Sequence, residues 1–426
     1  MSTDPNLTSA PAELSIEKEH NMRILCADAI ADDLLAPLRD AGHEVVVEPE
    51  LTADTLADRL AELPAEVLVV RSTKVTADAI AATPSLGLIV RAGAGTDNVD
   101  KGAASARGIY VSNVPGKNAI AVAELAMGLL LAIDRHIAAG MADLAAGEWN
   151  KGKYSKAEGI YGKTIAIIGL GEIGFALAER AKGFGMDVAA LRKPDRSAAS
   201  LARLRSAGIV LVDTLDELLA IADVVSLHVP KSPETLGMVD AEFLSKMQDG
   251  AILLNTSRGE VVDEAALLAA MENKGIRAGL DVWPGEPSTK SGEWNSLLAT
   301  HPNVVGSHHI GASTQQAQNA VAAGTVDVIE AYLGGQITNC VNMAIDTSGS
   351  VVLTVRHLDK VGVLAKIFDS LRSAGLNVHE MDNQLFSGSV AAVASINLAH
   401  APSDELLETI AADDDVLAVS VATKAS

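Results

Sequence analysis

Three polar residues stand where apolar runs end in the middle of the chain. Arg258 follows such a run in Asn255-Thr256-Ser257-Arg258-Gly259. Glu286 lies in Asp281-Val282-Trp283-Pro284-Gly285-Glu286-Pro287, and His309 in Ser307-His308-His309-Ile310-Gly311. A histidine titrates near neutrality, so it can take and return a hydroxyl proton. An arginine offers a planar fork to a carboxylate and polarises a neighbouring carbonyl. A carboxylate bonded to a histidine selects its tautomer and raises its pKa. Singly, each has a plain reading: a surface charge, a loop residue before proline, a polar surface group. Together they form an acid–base pair beside an anion anchor.

A second group of residues suggests what reacts there. Residues 165–178 read IAIIGLGEIGFALA. An unbroken apolar run enters Gly169-Leu170-Gly171-Glu172-Ile173-Gly174 and leaves as an apolar stretch at helical spacing. That order predicts a buried parallel strand, a tight turn and a helix N-terminus. Gly169 permits the turn, Gly171 lets a pyrophosphate approach the backbone, and Gly174 lets helix and strand pack closely. The helix start offers free N–H groups and partial positive charge to phosphates. A GxGxxG alone is weak; the flanking strand and helix make it a dinucleotide loop. With a nicotinamide as hydride acceptor, the trio becomes an alcohol-oxidising site.

These side chains need sheets to carry them. From Met22 the chain alternates strands and helices. Strands are expected at residues 23–27, 44–48, 67–70, 88–91 and 110–112, with helices at 32–41 and 52–63 between the first three. Polar groups collect at the strand ends, where ligands bind in such sheets. Arg71, Ser72 and Arg91 are among them. Residues 118–140 read as one long helix, apolar on more than one face, which predicts burial in a large core or a subunit interface. Residues 162–309 carry seven more strands. Residues 311–333 form another helix, stopped by Gly334-Gly335 and expected to cross back to the first sheet.

The expected fold class is therefore α/β, with two flavodoxin- or Rossmann-like parallel-sheet domains followed by a smaller βαββαβ unit. The expected boundaries are a disordered tail at 1–20, a discontinuous substrate-binding domain at 21–117 and 310–335, and a dinucleotide-binding domain at 118–309. A linker at 336–349 and the βαββαβ unit at 350–426 complete the chain.

The chain has 426 residues, 48% of them hydrophobic, and a formal net charge of −22. Such acidity disfavours nucleic acid and anionic membranes as partners. Cys26 and Cys340 fit no metal spacing and suggest a reducing compartment. Residues 1–20 lack a signal-peptide pattern, so a cytoplasmic enzyme is the expectation.

The segments IIGLGEIG, LLNTSRGEVVDEAAL, AGLDVWPGEP and PNVVGSHHIGAST resemble the D-isomer-specific 2-hydroxyacid dehydrogenase family, and they occur in its order. RSTKVT and VRAGAGTDNVD extend the resemblance over residues 22–335. It implies Arg258 as carboxylate anchor, Glu286 as partner of His309, His309 as acid–base, and Asp281 near the nicotinamide. The last segment, with HLDKVGVL and GLNV, resembles the ACT module, a small regulatory domain. The resemblance implies an amino acid bound between two copies of the module; His357, Asp359 and Asn377 would hold its carboxylate or amine, with Asp359 capping the module's first helix. Within the family this combination points to the branch that oxidises C2 of 3-phospho-D-glycerate toward L-serine. The alternatives are another 2-hydroxyacid dehydrogenase, such as a hydroxypyruvate or glyoxylate reductase, and a nucleotide-sensing, corepressor-like binding protein. The substrate phosphate would fall to Arg71, Ser72, Arg91, Asn118 and Lys151. A homodimer or homotetramer is expected.

The cofactor-binding set is Gly169, Gly171, Glu172, Ile173, Gly174, Arg192 and Asp281. An acidic residue about 20 positions beyond the loop binds the ribose hydroxyls in NAD-selective sheets. Here Arg192 holds that place, 18 positions after Gly174 (192 − 174). An arginine can pair with a 2′-phosphate, so NADP is expected alongside NAD, unless Asp195 reaches the ribose.

Overall fold

The computed structural model describes residues 21–194, 196–287, 291–343 and 351–423. The 1–20 tail, Asp195 and residues 344–349 of the expected linker lie outside the described residues. The chain divides into two compact units, Met1–Asn342 and Met343–Ser426.

In the first unit, β1 (Arg23–Cys26), β2 (Glu44–Val47), β3 (Val67–Val70), β4 (Leu88–Arg91) and β5 (Tyr110–Asn113) form a parallel sheet in the order β2-β1-β3-β4-β5. Its central strands are Val/Ile/Leu-rich and buried on both faces, as parallel strands between helix layers must be. The helix Gln315–Leu333 closes one face, packing Val326, Val328 and Ile329 against Ile24, Cys26 and Val90. Burial pushes the Cys26 thiol up to about 12, so it behaves as a small core hydrophobe.

The second sheet holds β6 (Thr164–Ile168), β7 (Asp187–Leu191), β8 (Ile209–Val212), β9 (Val224–Leu227), β10 (Ile252–Asn255), β11 (Arg277–Leu280) and β12 (Val304–Gly306). Their order is β12-β11-β10-β9-β6-β7-β8. The order reverses between β6 and β9, and the crevice at such a switch point is where nucleotides bind. The strand-level expectations match this arrangement.

The helices depart from expectation at their ends. The expected helix at 32–41 begins as the 3-10 turn Asp32–Leu35 and becomes Ala36–Asp40. The next starts at Leu56, and the crossing helix starts only after Thr314, whose hydroxyl caps Ala317. The long helix expected at 118–140 is two helices, Ala119–Asp134 and Ile137–Ala145. His136 breaks it by adopting a left-handed backbone, φ 52°, with no glycine to announce the break. Buried Asp134 accepts the Gly159 N–H at 3.1 Å and ties that end down. The apolarity of Ala119–Asp134 is met within the chain, against β6, β10 and the helix Glu172–Gly183. The exposed apolar face lies on the following helix, at Ile137, Met141 and Leu144.

The second unit consists of β13 (Val351–Leu358), β14 (Val378–Leu385), β15 (Ala391–Leu398) and β16 (Val416–Thr423), antiparallel in the order β14-β15-β13-β16. Helices Val363–Ser373 and Asp404–Ala411 cover one face and complete the βαββαβ order. Asp359 does not cap the first of these helices; Gly362 does, at φ 93° and without a side-chain bond. Asp359 instead donates its N–H to the Val390 carbonyl at 3.0 Å.

Candidate active site

The glycine loop has the shape a dinucleotide requires. Gly169 sits at φ +99°, and a Cβ there would meet the His228 carbonyl oxygen at 2.2 Å. A Cβ on Gly174 would lie 2.2 Å from the Gly169 oxygen, so only glycine lets the helix close on the strand. A Cβ on Gly171 would meet nothing within 4 Å. Gly171 is also the helix N-cap and has no side-chain bond, so the first N–H groups remain available to phosphate. The residues present therefore fit the group. Ile173 packs into the core, and Glu172 pairs with Arg203 at 3.5 Å. His228, just past β9 and beside the loop, is pushed down to about 4 by burial and stays neutral.

Arg192 follows β7, and its Nε donates to Asp213 at 2.6 Å, while Nη2 leans on the Leu211 carbonyl at 3.4 Å. Asp213, just past the edge strand β8, carries no sequence signal that pairs it with Arg192. Arg196, nearby in the chain, has a buried Nε without a partner.

The acid–base pair forms as expected from the residue types. His309 Nδ1 and Glu286 Oε1 are 2.5 Å apart. The other Glu286 oxygen accepts the Trp283 N–H at 3.0 Å, which fixes the carboxylate. Nδ1 is then the donor to Glu286, and Nε2 is left to exchange a proton with substrate. The bond to Glu286 raises the His309 pKa, against the lowering effect of burial. His309 has a left-handed backbone, φ 53°. Asp281 maintains it. Its backbone carbonyl accepts the His309 N–H at 2.7 Å, and its carboxylate takes Ser307 Oγ at 2.6 Å, Ile310 N at 2.9 Å and Gly311 N at 2.8 Å. Its carboxylate is thus committed to the loop that presents His309.

A direct consequence is testable. Glu286→Gln should lower the His309 pKa, because the imidazolium loses its anionic partner. Oxidation needs neutral His309, so the acid limb of its kcat/KM profile should move to lower pH. Reduction needs the imidazolium, so its activity should fall away at lower pH than in the wild type. Paired pH–rate profiles test this; unmoved limbs would disconnect Glu286 from proton transfer.

Arginines converge on the first sheet's edge. Arg71, Arg91 and Asn118 line a cavity of about 90 Å³ with Gln315, Gln318 and Asn319 of the crossing helix. Arg91 is pushed down to about 10 by burial and by the like charges of Arg258 and Arg71. Its Nε and the Asn118 Oδ1 are buried without partners among the described residues. Such unmet groups are ones that a ligand or an ordered water would satisfy. Ser72 is not free to serve there: its hydroxyl donates to Asp28 at 2.6 Å. Asp28 also accepts the N–H groups of Arg71, Ser72 and Thr73 at 2.7–3.1 Å. Burial would raise its pKa, but these donors outweigh it and hold the carboxyl below the usual range. Asp28 escaped the sequence reading, although an acid just past a buried strand, at the edge that carries Arg71, was the available signal. Lys151 is exposed and does not line the cavity.

Arg258 reaches from the loop after β10 to Asp97 in the loop after β4, joining the two sheets' edges at 2.9 Å. Thr256 Oγ1, in the same loop, is buried without a partner.

Within one copy the three residues named for an effector do not meet. His357 is buried, with Nδ1 2.8 Å from the Leu358 oxygen and Nε2 3.1 Å from Asn383 Oδ1. It stands beside Ala392, whereas Val378, next to Asn377, stands beside Leu398. Six strand positions, about 20 Å at ~3.3 Å per residue, separate those ends. His357 and Asp359 therefore cannot share one small ligand with Asn377 within a chain.

A profile for the D-isomer specific 2-hydroxyacid dehydrogenase NAD binding domain matches residues 127–311. A hydroxypyruvate reductase of Thermotoga maritima is 44% identical over 291 residues, covering 68% of this chain and 91% of that protein. The chain belongs to the D-isomer-specific 2-hydroxyacid dehydrogenase family. The D-3-phosphoglycerate dehydrogenase of Methanocaldococcus jannaschii is 40% identical over 327 residues, 76% of this chain. This chain spans only 60% of that relative's length. The NAD⁺-bound 3-phosphoglycerate dehydrogenase of Entamoeba histolytica superposes with a TM-score of 0.62 at 27% identity, covering 76% of this chain and 99% of that one. The lobe built on β6–β12 is the family's NAD-binding domain. Among the described residues no helix is long and apolar enough to cross a membrane.

Proposed function

We propose that this family member is a D-3-phosphoglycerate dehydrogenase, oxidising 3-phospho-D-glycerate at C2 in L-serine biosynthesis. The observation that carries this reading is the number of cations at one site. Arg258 suffices for a carboxylate, yet Arg71 and Arg91 add two further charges beside it, the latter at the cost of burial. A substrate with a second anionic end accounts for that expense. Arg258 holds the carboxylate and polarises the oxygen at C2. His309 Nε2 takes the hydroxyl proton in oxidation and returns it in reduction. Arg71, Arg91 and Asn118 bind the phosphate end. The nicotinamide, when bound, accepts or returns the hydride. The 44% identity to a hydroxypyruvate reductase favours the rival substrate class. Assaying purified protein with 3-phospho-D-glycerate, D-glycerate, hydroxypyruvate and glyoxylate decides between them. The highest kcat/KM should belong to the phosphorylated acid; a preference for hydroxypyruvate overturns this reading, and no turnover at all favours a nucleotide-sensing protein.

NADP use belongs to the same proposal. Arg192 stands where an acid would repel a 2′-phosphate. Its ion pair with Asp213 is exposed on both sides and therefore weak enough to exchange for a phosphate. NADPH should match or exceed NADH in kcat/KM, and Arg192→Asp should move preference toward NADH. A tenfold wild-type preference for NADH refutes the idea.

The exposed row of Ile137, Met141 and Leu144 supports a homodimer through the nucleotide-binding lobes. Sedimentation at micromolar concentration should give at least a dimer, and a monomer refutes it.

A further inference from the structure

We propose that Asp97 is a positioning residue for Arg258, aligning the anchor's fork from across the cleft. Arg258 Nε donates to Asp97 Oδ2 at 2.9 Å, and Nη2 lies 2.9 Å from the same oxygen. Nη1 donates to the Ser257 carbonyl at 2.8 Å. A guanidinium has five N–H groups. The side edge, Nε with Nη2, faces Asp97, and one Nη1 hydrogen turns back to the backbone. What remains is one hydrogen on each Nη, the parallel pair at the tip that matches a carboxylate. The guanidinium also lies against bare backbone: a Cβ on Gly95 would come within 2.1 Å of Nη2. Asp97 thus orients the fork without occupying its end.

The charges agree with this geometry. Arg258 and Arg71 both press on Arg91 as like charges, whereas Asp97 and Asp28 counter them. Asp28 is fully engaged by the backbone of residues 71–73. Asp97 is half exposed and has no such framework, so its partner is the arginine itself. The two residues come from loops after different sheets, β4 and β10. The fork is therefore aligned only when the two sheets stand in this relation, which ties carboxylate capture to the closeness of the lobes.

This inference rests on the proposal that Arg258 binds a substrate carboxylate, and its test separates the two. Oxamate, a 2-oxo acid analogue, is titrated calorimetrically into nucleotide-saturated, full-length protein. Asp97→Asn should weaken oxamate about tenfold, with nucleotide affinity and Tm unchanged, and Asp97→Glu should recover most of the loss. In an Arg258→Lys background, Asp97→Asn should change oxamate affinity less than twofold, because the group it orients is gone. Asp97→Asn within twofold of wild type, equal losses in Asn and Glu variants, or the same loss in the Arg258→Lys background would each overturn the inference. A wild type that binds oxamate through this pair yet turns over no 2-hydroxy acid would sink the dehydrogenase reading and leave the inference standing. A wild type that binds no oxamate would overturn the inference, while turnover of 3-phospho-D-glycerate would leave the dehydrogenase reading standing.

Discussion

Replacing His309 by glutamine should lower kcat by roughly 10²–10⁴-fold, the range for loss of a positioned acid–base group. Glutamine keeps a polar side chain facing Glu286 but cannot carry the proton. Nucleotide affinity should survive, because the glycine loop and the helix Glu172–Gly183 lie on other strands' ends. The Asp281 contacts to residues 307–311 are mostly to backbone groups and the Ser307 hydroxyl. They are unaffected by the side chain at 309, so the loop should keep its place. Stopped-flow and steady-state rates with either cofactor check this. Near-wild-type turnover would remove His309 from the chemistry.

Arg91→Met is expected to separate function from stability. Arg91 is half-buried, its buried Nε has no partner among the described residues, and burial and two other arginines lower its pKa. Truncating a buried charge that binds an anionic ligand costs about 2–5 kcal/mol of binding. At 1.4 kcal/mol per tenfold, that is roughly 30- to 3,000-fold in kcat/KM for 3-phospho-D-glycerate. D-Glycerate, which lacks the phosphate, should lose much less. Meanwhile the unliganded protein loses a buried, repelled charge and gains an apolar side chain of similar reach, so Tm should rise. A fall in Tm together with equal losses on both substrates would make Arg91 a structural residue.

Much of this protein is determined locally and can be read from the chain. Buried parallel strands need largely apolar runs, so the twelve strands of the first unit are visible in the sequence pattern. The glycine loop is visible because the steric demands at Gly169 and Gly174 leave one residue type. Arg258, Glu286 and His309 are visible because polar residues at strand ends of such a sheet face its crevice.

Tertiary structure decided whatever depends on who meets whom. The helix break at His136 involves an ordinary residue in an unusual backbone, and local propensity does not encode that. Ser72 has the chemistry of a phosphate ligand, but Asp28, 44 residues away, takes its hydroxyl. Asp281 serves the histidine loop because residues 307–311 return beside β11. His357 and Asn377 suit one ligand by type, yet antiparallel pairing sends them to opposite ends of a sheet. Asp97 lies in the segment VRAGAGTDNVD, but nothing in that segment names its partner. It meets Arg258, 161 positions later, only because two separately folded sheets set their edges together, and a contact between distant loops leaves no periodicity in either.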